Sequence, residues 1–195
     1  MNTWDKKVKV DKKFVPKRYV LRYYKKLWRE SPIFRNILKK KGSFIRATYG
    51  RKSVIRRKEV KISNIDDLEK VIKEHAVEFH VPTKKMKYKT YLDIDLPKSM
   101  VPNKRRIARS IIKKLKQNDV NVSLVTDAPS GAHVFSNTSK EKFVKALKEI
   151  SEKDKKFHIG KSSKSKIVLD PYEPNVAVPG SLSSTGKPYK RWKKI

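Results

Sequence analysis

Ten residues, Tyr88-Lys89-Thr90-Tyr91-Leu92-Asp93-Ile94-Asp95-Leu96-Pro97, constrain the fold of this chain more than any others. Apolar and polar residues alternate, the pattern of a half-buried β-strand, and Pro97 cannot donate to a ladder and so ends it. Side chains two apart on a strand share a face. Leu92, Ile94 and Leu96 therefore point one way, and Tyr91, Asp93 and Asp95 the other. Carboxylates so placed lie about 6.5–7 Å apart at the backbone. Unpaired, they repel by roughly 2–3 kcal/mol at an effective dielectric near 20. A divalent cation reverses the sign of that term, because carboxylate oxygens are natural ligands of magnesium and manganese. The competing explanation is an exposed strand end whose two acids pair with some of the many lysines.

Those lysines are themselves informative. Lys and Arg number 51 against 19 acids in 195 residues, a formal charge of +32. Such a chain repels itself unless an anionic partner screens it. Nucleic acid is the first candidate, an anionic membrane surface a distant second. A Lys-rich surface of heat adaptation would raise Glu together with Lys, and here only Lys rises. The chain has no cysteine, which excludes a disulfide framework, a cysteine-ligated zinc site and an iron–sulfur cluster and fits a cytoplasmic protein. No apolar run approaches the roughly 20 residues of a membrane span, and the first residues, Met1-Asn2-Thr3-Trp4-Asp5-Lys6-Lys7, lack the apolar centre of a signal peptide. The length suits one domain with a real core, or one core plus a small appendage.

Taken in order, residues 1–15 read as a basic arm. A helix is expected from Pro16, with Tyr19, Val20, Tyr23, Leu27 and Trp28 as its buried stripe. Ser31-Pro32 reads as an N-cap followed by Pro at the first helical position, opening a short helix that stops at Gly42. Strands are expected at Ser43–Tyr49 and Ser53–Ile62, then a helix over Ile65–Glu74 capped by Asn64, then a strand at Ala76–Val81. Residues 16–87 thus form an N-terminal α/β subregion, and 88–195 a second subregion with a basic C-terminal tail, the two making one continuous domain.

After Pro97, Asn103 is placed to cap a helix with Ile107, Ala108, Ile111, Ile112 and Leu115 inward. Val120–Thr126 alternates as a strand, Asp127–Gly131 is a turn, and Ala132–Ser136 returns. Thr138 with Glu141 reads as a capping box for a helix to Lys153, with Phe143, Val144, Leu147 and Ile150 inward. A loop through Gly160–Ser165 leads to the strand Lys166–Asp170, and a short strand follows at Val176–Val178. From 88 to 170 the order is strand, helix, strand, strand, helix, strand. That is the split βαβ arrangement, an α+β, RRM-like sheet with both helices on one face and the other open. Asp170 ends its fourth strand, where it can meet Asp93 and Asp95 on the open face.

Ser130-Gly131-Ala132-His133 follows the turn. Glycine permits close approach of backbone to a phosphate, and His133 falls on the strand beside the carboxylates; the same residues also serve as a plain hairpin turn followed by an ordinary histidine. His75, His80 and His158 show no ligand spacing with His133. Basic residues interleaved with aromatics at Arg18–Arg29 and Tyr189–Lys194 suit single strands of nucleic acid, although at Arg18–Arg29 the helical spacing of Tyr23, Leu27 and Trp28 points inward instead.

Asp93-Ile94-Asp95, Ser130-Gly131-Ala132-His133 and Val168-Leu169-Asp170 together resemble the three motifs of the archaeo-eukaryotic primase superfamily, whose members include small catalytic primase subunits and the polymerase domains of bacterial end-joining ligases. Val178-Pro179-Gly180-Ser181-Leu182 resembles a stretch that archaeal small subunits carry after their third motif. The resemblance covers residues 43–187 loosely and 88–186 well. It implies a primase-polymerase-type fold and a DNA primase or primase-type polymerase. Asp93, Asp95 and Asp170 would hold two divalent ions, Mg2+ or Mn2+, with no zinc. Ser130, Gly131 and His133 would meet the triphosphate of an incoming nucleoside triphosphate. Template and primer DNA would be partners, as would a large primase subunit where the enzyme has two chains. The chain departs from the family in lacking cysteines for a zinc module, in having no arginine over Pro171–Val178, and in placing Ser183 where a histidine often stands. Phosphate contacts are therefore expected to shift to Lys187, Lys190 or Arg191, with Arg46, Arg56 and Arg57 as further nucleic-acid contacts. The alternatives are a non-catalytic RRM-like nucleic-acid-binding protein, which would show aromatics where this chain has acids, and an inactive accessory subunit.

Overall fold

The computed structural model describes residues 17–39, 43–47, 58–74, 78–83, 86–161, 163, 165–172, 175–183 and 186–193. The expected basic arm, residues 50–52 between the first two expected strands, Gly42, Arg56 and Arg57 lie outside them. The chain divides into two compact units, Met1–Lys85 with Asn175–Tyr189, and Met86–Pro174 with Lys190–Ile195. Residues 175–189, read in the sequence as part of the second subregion, cluster with the first unit. Among the described residues no helix is long and apolar enough to cross a membrane.

The first unit holds α1 (Lys17–Glu30), α2 (Pro32–Leu38), β1 (Ser43–Ala47), β2 (Lys58–Val60), α3 (Ile65–Glu74), β3 (Glu78–Pro82) and β9 (Asn175–Ala177). Its four strands form an antiparallel sheet in the order β2-β1-β3-β9. The α1 stripe is rotated by about one residue from the expected one. Val20, Tyr24 and Trp28 are buried, whereas Tyr19 is 49% exposed, because i, i+4 spacing carries the apolar ridge through Tyr24. Tyr24 packs on Phe34 and Phe79 at ring distances of 5.8 and 5.0 Å. Ser31 caps α2, its hydroxyl accepting from the Phe34 N–H at 3.2 Å, with Pro32 at the start of the helix. Asn64 Oδ1 accepts from the Asp67 N–H at 2.9 Å, and the Asp67 carboxylate accepts from the Ser63 N–H at 2.9 Å, so the entry to α3 is capped from both sides.

The second unit holds β4 (Thr90–Asp95), a 3-10 turn (Lys98–Asn103), α4 (Lys104–Gln117), β5 (Val122–Asp127), β6 (Gly131–Ser136), α5 (Lys140–Lys153), β7 (Phe157–Ile159) and β8 (Ile167–Asp170). The strand order is β5-β6-β4-β8-β7. β4 pairs antiparallel with β6 and with β8, β5 with β6, and β7 runs parallel to β8. Leu92, Ile94, Ala132, Val134 and Leu169 share one core with Ala108, Ile111, Ile112 and Leu115 of α4 and with Phe143, Ala146, Leu147 and Ile150 of α5, so both helices cover the same face. Two local expectations change, and one strand is added. Asn103 makes no side-chain cap, because the 3-10 turn carrying Pro102 leads into α4. Ser139 caps α5 by accepting from the Lys142 N–H, while Thr138 is buried and accepts from the Asn121 N–H at 2.7 Å. Phe157–Ile159, given no element in the sequence reading, is an edge strand.

Candidate active site

β4 is the middle strand of five, and its register with both neighbours builds the site. Asp93 lies directly opposite His133 of β6 and opposite Asp170 of β8. His133 in turn faces Thr126 of β5, and Thr126 bridges Arg191 of the C-terminal segment. One row therefore crosses the sheet on the face away from the helices: Arg191, Thr126, His133, Asp93, Asp170. Asp95, two residues along β4, faces Gly131 and Val168. Asp93 and Asp170, far apart in the sequence, are next neighbours because directly opposed side chains have their Cβ atoms about 5 Å apart, and Asp95 follows two residues along β4.

Each acid is held by its surroundings. His133 Nε2 lies 3.5 Å from Asp93 Oδ1, with the Asp93 side chain 23% exposed and the histidine buried. The Ser130 hydroxyl donates to Asp95 Oδ1. The Tyr172 N–H donates to Asp170 Oδ1 at 2.8 Å, an Asx turn that fixes this buried carboxylate. Tyr91 sets its ring edge against His133, 5.4 Å between centroids. Among the described residues neither Asp95 nor Asp170 pairs with a lysine or arginine. Glu69, Asp127 and Asp154 of the same chain all do. In a +32 protein, cations are the cheapest neighbours an acid can find, so this argues against the exposed, lysine-paired strand end.

Gly131 has a role set by the sheet. A Cβ there would lie 1.8 Å from the Ile94 carbonyl oxygen and 2.8 Å from its carbon. The β6 backbone can approach β4 beside Asp95 only with a glycine at this point. The site face is also less open than expected. Tyr91, Leu124, Phe135, His133, Val168 and Asp170 are buried, with the Tyr88 ring 5.2 Å from Phe135. Exposure concentrates at Asp93 and Asp95.

The carboxylates are neighbours in register and not a closed cage. Among the described residues no three His, Asp or Glu side chains gather into one ion-holding cluster. The donor set still fits a hard cation of the magnesium type, which takes one or two carboxylates and fills its remaining positions with water and substrate phosphate.

Of the other predicted residues, Lys187 is exposed in the first unit, its carbonyl accepting from the Ser183 N–H at 2.7 Å. Arg46 lies on β1. Lys190 and Arg191 lie in the second unit, where Lys190 through Trp192 run beside β5. The Lys190 carbonyl accepts from the Asp127 N–H at 2.8 Å, and the Trp192 N–H donates to the Val125 carbonyl at 2.9 Å. Sequence reasoning missed Asp127 and its partners. Arg105 grips it with two hydrogen bonds, at 2.6 and 3.2 Å, and Trp192 Nε1 donates to it at 2.9 Å. Burial pushes the Asp127 carboxyl up, but the Arg105 and Trp192 hydrogen bonds and the charges of Arg105 and Lys104 outweigh it and hold the group below the usual carboxylate range. The available signal was Arg105 and Arg109, four apart on the solvent side of α4.

In fold, the chain is similar to a polymerase domain. A solved structure carrying this likeness is the polymerase domain of Ligase D from Mycobacterium tuberculosis, determined in complex with DNA, with a TM-score of 0.62 and 12% sequence identity over 96% of this chain and 86% of that one. No protein-family profile matches the chain, and no curated protein does.

Proposed function

We propose that this protein is a metal-dependent nucleotidyltransferase of the primase-polymerase kind, adding nucleotides from nucleoside triphosphates to a primer hydroxyl or an initiating nucleotide on a DNA template. The observation that carries the reading is the register of the central strand, with Asp93 between His133 and Asp170 and Asp95 two residues on. The order β5-β6-β4-β8, with both helices on one face, supports reading the second unit as the split βαβ, RRM-like catalytic sheet.

The residues divide the work by chemistry. Asp93, Asp95 and Asp170 would hold the divalent ions, which when bound lower the barrier to in-line attack on the α-phosphate and stabilise the leaving pyrophosphate. Ser130 keeps the Asp95 carboxylate aimed along the face, and the Tyr172 N–H does the same for Asp170. His133, its Nε2 3.5 Å from Asp93 Oδ1, would donate to a triphosphate oxygen lying over Asp93. Lysine and arginine elsewhere draw the polyanionic substrates, so binding falls steeply with salt. An RRM-type reader is disfavoured by a specific feature. The aromatics on the corresponding central strands, Tyr91 and Phe135, are buried and offer no ring for base stacking.

The test is incubation with a primed and an unprimed single-stranded template, labelled nucleotides and manganese, comparing wild type with Asp95→Ala. Incorporation by the wild type and none by the variant is expected. A wild type that incorporates nothing, or a variant that incorporates normally, refutes the reading.

A further inference from the structure

A basic feature of the second unit meets the acidic row only at its Arg191 end. Arg105 and Arg109 on the first two turns of α4, together with Lys190, Arg191, Trp192 and Lys193, line a groove of about 480 Å3. That is many times the roughly 30 Å3 of one water. All five cations are exposed, and no acid lines the groove among the described residues. The walls are fixed. The C-terminal strap is tied to β5 by the Asp127–Lys190 and Trp192–Val125 backbone hydrogen bonds. The Trp192 ring is buried in the core beneath Arg109, whose guanidinium sits 5.8 Å from its centroid. Arg105 is held by Asp127. The tryptophan is therefore a floor that sets the cations in place, not a stacking platform.

We propose that this groove binds the phosphodiester backbone of a single DNA strand. Arg105 is already paired with Asp127, and the exposed cations beside it, Arg109, Lys190, Arg191 and Lys193, suit phosphate and carry no base readout. The fold also gives the groove a direction. Arg191 shares the transverse row with Asp93, three strand spacings away, which is about 14 Å or about four nucleotide rises of 3.4 Å. A strand seated on the strap thus runs within a few nucleotides of the acidic pair. The inference extends the proposed function by naming where the DNA is gripped.

The experiment is fluorescence anisotropy with a labelled single-stranded thymidine oligonucleotide over a salt series, without nucleotide or divalent ion. Each lost phosphate contact lowers the salt slope by about 0.7, which at 0.1 M salt is about fivefold in affinity. Arg109→Ala with Lys193→Ala is therefore expected to bind about 25-fold more weakly, with a slope smaller by about 1.4. Lys190→Ala with Lys193→Ala, which leaves the cover over Trp192 intact, is expected to do the same and decides the matter if the first pair misfolds. Lys145→Ala with Lys148→Ala on the exposed side of α5 removes equal charge and is expected to cost under about threefold. Strap variants that bind like wild type, or an α5 pair that loses as much, overturn the proposal. The assay contains no substrate for incorporation. A protein that grips DNA through the strap but never incorporates refutes only the polymerase reading, and an active enzyme with normally binding strap variants refutes only this one.

Discussion

Gly131→Ala separates two explanations of the same glycine. If the residue is there to let a phosphate approach, alanine should weaken nucleotide binding and leave stability alone. The structure gives a different expectation. The added Cβ would stand 1.8 Å from the Ile94 carbonyl oxygen, whereas ordinary contact needs about 3.4 Å. β6 and β4 must then part by about 1.6 Å at the Asp95–Gly131 pair. Ladder hydrogen bonds of about 2.9 Å stretched by that amount are no longer bonds. Two such bonds at about 1 kcal/mol each, plus the cost of leaving buried backbone groups unsatisfied, give roughly 2–4 kcal/mol. With a urea m-value near 2 kcal/mol/M, the midpoint should fall by about 1–2 M. The assay is urea unfolding followed by tryptophan fluorescence and far-UV circular dichroism, with nucleotide incorporation measured in parallel. Incorporation should fall with stability, because the displaced pair includes Asp95 and adjoins Ser130. A variant whose midpoint is unmoved while its apparent KM for nucleotide rises would refute the sheet-closure argument and restore the phosphate one.

Asp170→Asn should make the metal-free protein more stable and the enzyme inactive. Its Cβ lies about 5 Å from that of Asp93, and the repulsion of two carboxylates at that spacing, about 3 kcal/mol at an effective dielectric near 20, falls to about 1 kcal/mol once the partial exposure of Asp93 is allowed for. In chelator the Tm should rise by about 2–4 °C, and millimolar magnesium should raise the Tm of the wild type but not of the variant; a lower Tm in chelator, or an equal gain with magnesium, counts against paired carboxylates. Tyr23→Phe tests the α1 docking. The Tyr23 hydroxyl donates to the Gly180 carbonyl at 2.7 Å, and burial, then the neighbouring Tyr19, push its pKa up to about 12. A raised pKa means the contribution is full below pH 10 and is lost as pH climbs from 10 to 12. The variant should be about 1 kcal/mol less stable at pH 8, the gap closing and then changing sign as pH climbs toward 12; a gap that stays constant across that range refutes the assignment.

Much of the second unit was legible because its elements satisfy local rules and tertiary ones together. The alternation at Leu92–Leu96 and the α4 stripe from Ala108 to Leu115 each bury the face that their period demands. Legibility failed where two local signals competed. Thr138 and Ser139 are both capping residues, and the choice fell to burial: Thr138 is drawn inward by the Asn121 N–H, leaving Ser139 to cap. Tyr23 and Tyr24 compete in the same way on α1, and ring packing with Phe34 and Phe79 selects Tyr24. The edge strand Phe157–Ile159 is three residues long, too short for any period to register. The grouping of Asn175–Tyr189 with the first unit rests on strand pairing of Val176 with Val81, a contact across 95 positions that no local pattern encodes.

The acidic row itself stands out for a further physical reason. Acids are scarce in this chain, and several of those described pair with lysine or arginine, as Glu69 with Lys25, Asp127 with Arg105 and Asp154 with Lys156. Asp95 and Asp170 are held instead by a hydroxyl and a backbone N–H. Such donors orient a carboxylate without neutralising it, so the negative charge stays available on the face. A protein needing only to stay folded gains nothing from carboxylates aligned across adjacent strands, and it could remove the repulsion by one change to asparagine. Retained charge, oriented by neutral donors and set within a strongly positive chain, favours a cation shared with a polyanionic substrate: the cation offsets the local repulsion, and the surrounding lysines offset the charge of what it binds.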